Sequence, residues 1–246
     1  MNNTLTSTCL QDLFEGQQHN GLFVLFDNGD KIDLTEPNVR KAADDLEEQL
    51  PSMPPETRTA TELEPCAVCP ARDTAAICHA LPAIIPFLNE LRLSKSFDQV
   101  TAIFIDEHEN HQKIYHICRT SMQRALQYVA IQSVLYYCEI GKSYHKYFGG
   151  VIPFSPAEDI AERIYANIML EQNGNHDAVL QIIEGMRTNL STTMQCQLKR
   201  VRLVSKNDVF LNAFVNLHLV LDMLAPENLD ELRHLSSRRI ERNPAI

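Results

Sequence analysis

The sequence lacks the segments that mark an exported or membrane-spanning chain. Residues 1–5 have neither a basic start nor an apolar run, so they do not resemble a secretory signal. No stretch approaches the ~18 uncharged apolar residues of a membrane-spanning helix. The longest apolar segment, residues 126–137, is interrupted by Gln127, Gln132 and Ser133. We therefore expect a cytoplasmic protein that has no membrane partner.

The sequence also lacks an excess of basic residues. It has 22 Lys and Arg against 32 Asp and Glu, which gives a formal net charge of −10. A nucleic-acid-binding face needs cations that displace counterions, so we expect no nucleic-acid partner. Phosphate-binding loops, dinucleotide fingerprints, nucleophile elbows and His-Glu-x-x-His motifs are absent as well. The sequence therefore leaves open whether the protein is an enzyme, and it identifies no catalytic residue.

The hydrophobic pattern predicts an α+β fold. Residues 21–26 and 31–34 are expected to form a β-hairpin around Asn28-Gly29-Asp30. Further strands are expected at residues 57–63, 100–105 and 114–118. From about residue 121 onward the apolar residues recur with helical period. We expect a small N-terminal antiparallel sheet packed on a predominantly helical bundle of about five helices.

The same pattern suggests the domain limits. Residues 1–18 are polar and are expected to be poorly ordered, residues 19–236 to form a single metal-binding α+β domain, and residues 237–246 to be a frayed tail. A chain of 246 residues can bury a sizeable core without disulfides.

A cluster of cysteines is the most specific motif in the chain. Cys66 and Cys69 are separated by two residues, a spacing whose tight turn directs both sulfurs at one metal ion. Cys78 follows at the expected start of a helix, where the helix dipole favours a thiolate. A fourth ligand must come from elsewhere; Cys138, at the end of the predicted buried helix, is the best candidate and His79 is the alternative.

This constellation supports several interpretations. The favoured one is a structural zinc ion held by four thiolates. An iron–sulfur cluster is the main alternative, because Cys-x-x-Cys followed by proline also occurs in cluster-binding loops. A redox-active dithiol and simple packing of thiols as small apolar groups complete the set. Cys9, Cys118 and Cys196 are expected to pack singly.

A second candidate site is polar and helical. Asp208, Asn212 and Asn216 recur at helical spacing, and a buried polar seam of this kind either specifies packing or lines a pocket. Arg200 or Arg202 is expected to pair with it.

The order of these motifs resembles a bacterial family of unknown function. In that family an N-terminal hairpin precedes Cys-x-x-Cys-Pro and a third cysteine that heads a helix. A Ser-Tyr-Asp-x-Val strand, a buried helix ending in Gly-Cys-Pro, and a His-Leu-Pro-Phe segment before an acidic helix start then follow. The resemblance covers about residues 20–236. The matching residues are Cys66, Cys69, Pro70 and Cys78, the segment 96–100, Cys138, the segment 152–154, Glu158, Asp159, Arg163, Asp208, Asn212, Ala213 and the segment 230–233.

The resemblance implies that the four cysteines belong together, and it adds Arg163 to Asp208 and Asn212 as a possible pocket. The sequence departs from the family pattern at three places. Tyr137 and Glu139 replace the glycine and proline that flank the fourth cysteine, and Val151 replaces the histidine. Any activity that depends on that histidine is therefore expected to be lost or altered in this chain.

Taken together, these features predict a metal-binding scaffold or interaction module with zinc as cofactor. Its partner would be another protein or a small molecule, and a homodimer is one option. The alternatives are an iron–sulfur or metal-dependent enzyme, a redox protein, or a small-molecule binder that uses the helical core.

Overall fold

The computed structural model describes most of the predicted domain. It covers residues 20–62, 65–74, 77, 78, 80, 81, 84, 85, 87, 91, 94–107, 112–206 and 208–234, without the side chains of residues 42, 43, 46 and 47. The predicted N-terminal segment 1–18, the predicted tail 237–246, Cys9 and His79 lie outside the described residues.

The predicted hairpin is present. Strand β1 is Gly21–Leu25 and strand β2 is Lys31–Thr35. The turn depends on Gly29, whose φ of 91° is strained for residues with a Cβ. Asn28 supports the turn, because its Oδ1 accepts a hydrogen bond of 3.0 Å from the backbone N–H of Asp30.

Two longer strands complete an antiparallel sheet. They are β3, Gln99–Glu107, and β4, Lys113–Ser121, and the strand order is β2-β1-β3-β4. Because side chains alternate along a strand, one sheet face contributes Leu22, Leu34 and Val100 to the main core. The other face carries a separate apolar cluster, formed by Phe23, Leu25, Ile103 and Ile105.

Two helices follow the hairpin. The second occupies a segment for which we predicted a strand. Helix α1 is Glu36–Gln49, and helix α2 is Pro55–Glu62. The prediction of a strand at residues 57–63 rested on frequent threonine and an alternating pattern, and it is wrong over residues 57–62, the described part of that segment. Helical spacing instead buries Thr57, Ala60 and Thr61 on one face.

A buried helical segment connects the sheet to the bundle, and it begins where the helical period in the sequence was predicted to start, near residue 121. It consists of α3, Met122–Ala125, then α4, Gln127–Gln132, and a single π-helical turn, Ser133–Tyr137. Every residue of α4 is buried. The π-helical turn ends at Cys138, whose backbone is extended.

The remaining bundle follows the predicted helical pattern. Helix α5 is Ala157–Glu171, α6 is His176–Val204 and α7 is Asp208–Met223, and a last helical segment is Pro226–His234. Helix α5 ends where Asn173 and Gly174 have positive φ, a common helix terminus. One continuous core joins the bundle to the sheet, so the α+β prediction is confirmed.

Within the described residues, no single helix is long and apolar enough to cross a membrane. Helix α7 and the segment Pro226–His234 reach the length and apolar composition of a membrane span only when they are taken together. The chain bends by 68° between them. Helix α7 packs into the main core through residues that include Phe210, Phe214 and Leu217.

Candidate metal centre

Five cysteines from four chain segments gather beside helix α6. Cys69, Cys78 and Cys138 pack in one small cluster with Ala80 and Ile140. Cys66 is hydrogen bonded to Cys196, and Cys78 and Cys138 are near enough to help raise the pKa of Cys66 electrostatically. The sequence-predicted set of Cys66, Cys69, Cys78 and Cys138 is therefore brought to one region, and Cys196 joins it from α6.

The first two cysteines are placed by a tight turn. The N–H of Cys69 donates a 2.9 Å hydrogen bond to the carbonyl of Cys66, and the N–H of Arg72 donates one of 3.2 Å to the carbonyl of Cys69. Cys66 is buried and Cys69 is partly buried. A turn of this kind holds two thiols near one another, as a metal-binding Cys-x-x-Cys unit requires.

Cys78 is anchored to the end of helix α2. Its backbone N–H donates a hydrogen bond of 3.0 Å to the carbonyl of Thr61. Terminal carbonyls of a helix lack intrahelical partners, so this bond satisfies one of them and fixes the cysteine at the same time.

Helix α6 presents a buried polar stripe to the thiols. Thr193, Gln197 and Arg200 are all fully buried, and their spacing of four and three residues places them on one helix face. The Sγ of Cys138 lies 4.0 Å from the Oγ1 of Thr193. The side-chain amide of Gln197 donates a hydrogen bond of 3.2 Å to the Sγ of Cys78.

Arg200 links this stripe to helix α2. Its Nη1 donates hydrogen bonds to the carbonyls of Ala60 and Thr61, at 2.6 and 3.2 Å. A buried cation needs such partners, and the terminal carbonyls of α2 carry the negative end of a helix dipole. The sequence predicted that Arg200 or Arg202 pairs with the polar residues of α7; the guanidinium of Arg200 reaches α2, and a pairing with α7 stays a prediction. Arg202 is exposed.

The thiols differ in their tendency to ionise. The hydrogen bond between Cys66 and Cys196, assisted by the positive charges of Arg200 and Lys199, lowers the pKa of Cys196. The same hydrogen bond, together with burial, raises the pKa of Cys66. Burial also raises the pKa of Cys138, against the opposing effect of the backbone N–H groups of Gly141 and Ile140. Cys196 is therefore the thiol of this pair that deprotonates first.

The thiols have the donor chemistry of a zinc site, but they are not closed around a common centre. Within the described part of the chain, no three His, Cys, Asp or Glu side chains are positioned to share one metal ion. Four buried or partly buried thiols in one region match the sulfur-rich ligand sets that zinc and iron–sulfur clusters use.

The other described cysteine lies elsewhere. Cys118 is on β4, partly buried, with its Sγ 3.5 Å from the carbonyl of Arg119. Sequence reasoning grouped Cys196 with Cys118 as a singly packed residue and so missed its place in the cluster. The signal was present, because Thr193, Cys196, Gln197 and Arg200 share helical spacing.

The second predicted site is not a buried seam. Asp208 is exposed, and its carboxylate accepts hydrogen bonds from the N–H and the hydroxyl of Ser96, at 3.3 and 2.8 Å. Asn212 donates a 3.3 Å bond to the same carboxylate. The guanidinium of Arg163 lies against Gly150. Asp208 thus holds residues 94–98 against the start of α7, and a pocket formed by Asp208, Asn212 and Arg163 stays a prediction.

Comparisons with known proteins add no relative. No family model, curated protein or solved structure matches the chain. The resemblance described above therefore stays a prediction, and the functional argument depends on the site itself.

Proposed function

We propose that the protein binds one zinc ion through Cys66, Cys69, Cys78 and Cys138, and that the metal serves a structural role. Such a protein would act as a scaffold or interaction module in the cytoplasm. Zinc bound by four thiolates has no open coordination position. It would therefore stabilise the fold and would not carry out a reaction.

The observation that carries the proposal is the convergence of three cysteines that follow α2 with Cys138, which is distant from them in the sequence. Cys66 and Cys69 come from the loop after α2, Cys78 is tied to the end of α2, and Cys138 ends the π-helical turn. Thiols pack individually as small apolar groups and have no need to gather in one place. Shared metal ligation is therefore the simplest reason for their convergence.

The polar residues of α6 support the same proposal. Metal-binding side chains are commonly oriented by hydrogen bonds from neighbouring groups. Gln197 and Thr193 are fully buried and lie against the sulfurs of Cys78 and Cys138. Contacts of this kind would orient the two sulfurs toward a bound metal.

Cobalt substitution tests this proposal. Protein refolded with Co²⁺ should show the intense visible bands of a tetrahedral four-thiolate site. Cys66→Ser and Cys138→Ser should each abolish these bands about equally, whereas Cys118→Ser should leave them unchanged. A pale octahedral spectrum, or an unchanged spectrum in the Cys138→Ser variant, would exclude this ligand set. A brown protein that contains iron and acid-labile sulfide would establish the iron–sulfur alternative.

A thiol redox function is the second candidate, and the contact between Cys66 and Cys196 favours it. The two side chains share a hydrogen bond, so oxidation by an external disulfide could join the two sulfurs with release of two protons and two electrons to the oxidant. Peptide mass spectrometry after treatment with oxidised glutathione tests this alternative. It predicts a disulfide between these two cysteines in protein that carries no metal.

A further inference from the structure

The sheet has a second apolar face, on the side opposite the main core, which we call the outer face. Phe23 and Leu25 of β1 and Ile103 and Ile105 of β3 form a cluster there that is separate from the main core. An antiparallel sheet with one face in water normally carries polar side chains on that face. Apolar side chains on both faces therefore indicate a sheet that is covered on both sides.

The four apolar side chains of the outer face are already buried. Their exposed fractions lie between 0% and 8%. Among the described residues, Tyr115 of β4 is the only partly buried apolar residue packed against them, so no apolar side chain of a described helix covers this face. Side chains of one sheet stand side by side and roughly perpendicular to it, which points to a covering layer outside the described residues.

The burial of Ile105 is the most specific of these observations. In register, Ile105 lies between Tyr115 of β4 and Gly21 of β1. Glycine has no side chain that could cover a neighbour, yet Ile105 is 0% exposed. The atoms that cover Ile105 on the side of Gly21 therefore come from another part of the chain.

Residues 1–19 reach this point directly. They lead into Asn20, where the chain bends, and Gly21, which lies beside Ile105. Gly21 has a φ of 131°, a conformation that favours glycine, so the preceding chain does not simply extend β1 backwards. Even as a helix, at roughly 1.5 Å per residue, residues 1–19 are longer than the sheet is wide, since neighbouring strands lie about 4.8 Å apart.

This N-terminal segment also carries suitable side chains. Leu13 and Phe14 lie three and four residues after Leu10, a spacing that places apolar side chains on one side of a helix. Such a side would match the apolar outer face of the sheet.

Other parts of the chain outside the described residues suit the outer face less well. Residues 108–111 are His-Glu-Asn-His and contain no apolar side chain. The described apolar residues of the segment 80–91 pack in the main core or with the cysteines, on the opposite side of the sheet. The tail at 235–246 carries three arginines and is not attached to a strand.

We propose that residues 1–19 dock on the outer face of the sheet, with Leu10, Leu13 and Phe14 packed over Ile103 and Ile105. Removal of these apolar surfaces from water stabilises the docked arrangement. The segment then forms a covering layer opposite the helical bundle. This proposal replaces the expectation that residues 1–18 are poorly ordered, and it does not depend on the metal site.

Tryptophan fluorescence of the full-length protein tests this inference, because the natural chain contains no tryptophan. Phe14→Trp places the reporter among the proposed contacts, and Asp12→Trp places it on the opposite side of the same helical turn. The Phe14→Trp protein should show blue-shifted emission and several-fold weaker quenching by acrylamide than the Asp12→Trp protein. Equal emission and equal quenching in the two proteins would overturn the inference.

Second substitutions in the Phe14→Trp protein locate the contact. Ile103 lies beside Phe23 in the middle of the outer face, so Ile103→Ser should shift the emission to the red. Ile114→Ser should not, because Ile114 is exposed on the other face of β4. The milder Ile103→Ala should give a smaller shift in the same direction, and it serves if serine unfolds the sheet. Emission that responds to neither Ile103 variant would overturn the inference.

Two further measurements distinguish other occupants of the outer face. A blue shift of the Phe14→Trp protein that disappears on dilution would assign the face to a second copy of the chain. A buried reporter in Ile240→Trp, together with an exposed one in Phe14→Trp, would assign it to the C-terminal tail. Either result would overturn the inference, whereas emission that is independent of concentration supports docking within one chain.

Discussion

The side-chain amide of Gln197 donates a hydrogen bond to the sulfur of Cys78 at 3.2 Å, from a position that is fully buried in helix α6. The Oε1 of Gln197 is buried without a hydrogen-bond partner among the described residues, so the bond to Cys78 offsets only part of the cost of burying this amide. The contact joins the C-terminal third of the longest described helix to a loop cysteine, and it places α6 against the thiol cluster as a support.

Replacing Gln197 should weaken metal binding without removing a ligand. Gln197→Leu replaces the amide with an apolar side chain of similar size and so removes the donor to Cys78; loss of such a supporting hydrogen bond typically lowers metal affinity about 10–100-fold. Competition with a zinc-binding dye measures the effect. Gln181→Leu, at an exposed position of the same helix, is the control. Equal zinc affinity in the two variants would contradict a supporting role for Gln197.

Arg200 should be one of the most sensitive positions for stability. Arg200→Met would remove the guanidinium that donates to the carbonyls of Ala60 and Thr61 and leave the Thr61 carbonyl with its bond from the N–H of Cys78, at an expected loss of about 2–4 kcal/mol in the free energy of unfolding. Urea denaturation measures this quantity. Arg202→Met, two residues on and exposed, should change it by less than about 0.5 kcal/mol. A small loss in Arg200→Met would show that α2 does not depend on this cation.

Gly141 permits the sharp turn that follows Cys138. A Cβ at this position would lie 1.6 Å from the carbonyl oxygen of Val134, so Gly141→Ala must displace the π-helical turn. We expect a loss of about 3–5 kcal/mol in the free energy of unfolding, as for other severe steric changes.

Gly174→Ala provides a matched control for this steric effect. Gly174 has a φ of +74° and open space around its Cβ position, so only the backbone preference is lost, at about 1–2 kcal/mol. Thermal and urea unfolding compare the two variants. Equal losses would mean that the close approach to Val134 is not what requires glycine at position 141.

The buried environment of Glu36 predicts a dependence of stability on pH. Burial raises the folded-state pKa of this carboxyl group. Its favourable contribution is therefore complete below the unfolded-state pKa of about 4.3 and is lost as the pH rises through the folded-state value. A glutamine at position 36 has no carboxyl group to ionise, so the Glu36→Gln variant does not lose stability as the pH rises. It should therefore be more stable than the natural protein at neutral pH.

The comparison is made by urea unfolding across the pH range. The stability gained by Glu36→Gln should shrink toward zero as the pH falls to about 4, near the unfolded-state pKa of a glutamate. Glu184→Gln, at an exposed position, should give a nearly constant difference. A Glu36→Gln protein that is less stable at neutral pH would mean that the charged carboxylate is stabilised in the fold.

Much of the fold could be predicted from local signals. Asn28-Gly29 specifies a hairpin whatever lies around it, and the 3.6-residue period identifies α5, α6 and α7. Helix α2 could not be predicted in the same way. Its threonines favour strands by propensity, and the helix forms because tertiary contacts bury Thr57, Ala60 and Thr61 and Arg200 binds its last carbonyls.

The candidate site was only partly predictable. Cys66 and Cys69 are close in sequence, so their spacing alone indicated a shared role. Cys196 and Gln197 join the cluster because of how α6 packs against α2 and the π-helical turn, and no local pattern specifies such long-range packing.

Zinc content together with thermal unfolding tests the central claim most directly. Protein purified without oxygen and without added metal should contain about one zinc per chain, and a strong chelator should lower its melting temperature sharply, because binding free energy contributes to folding. Cys66→Ser and Cys138→Ser should lose the zinc, whereas Cys118→Ser should keep it. A metal-free protein whose melting temperature is the same with and without chelator would contradict the account.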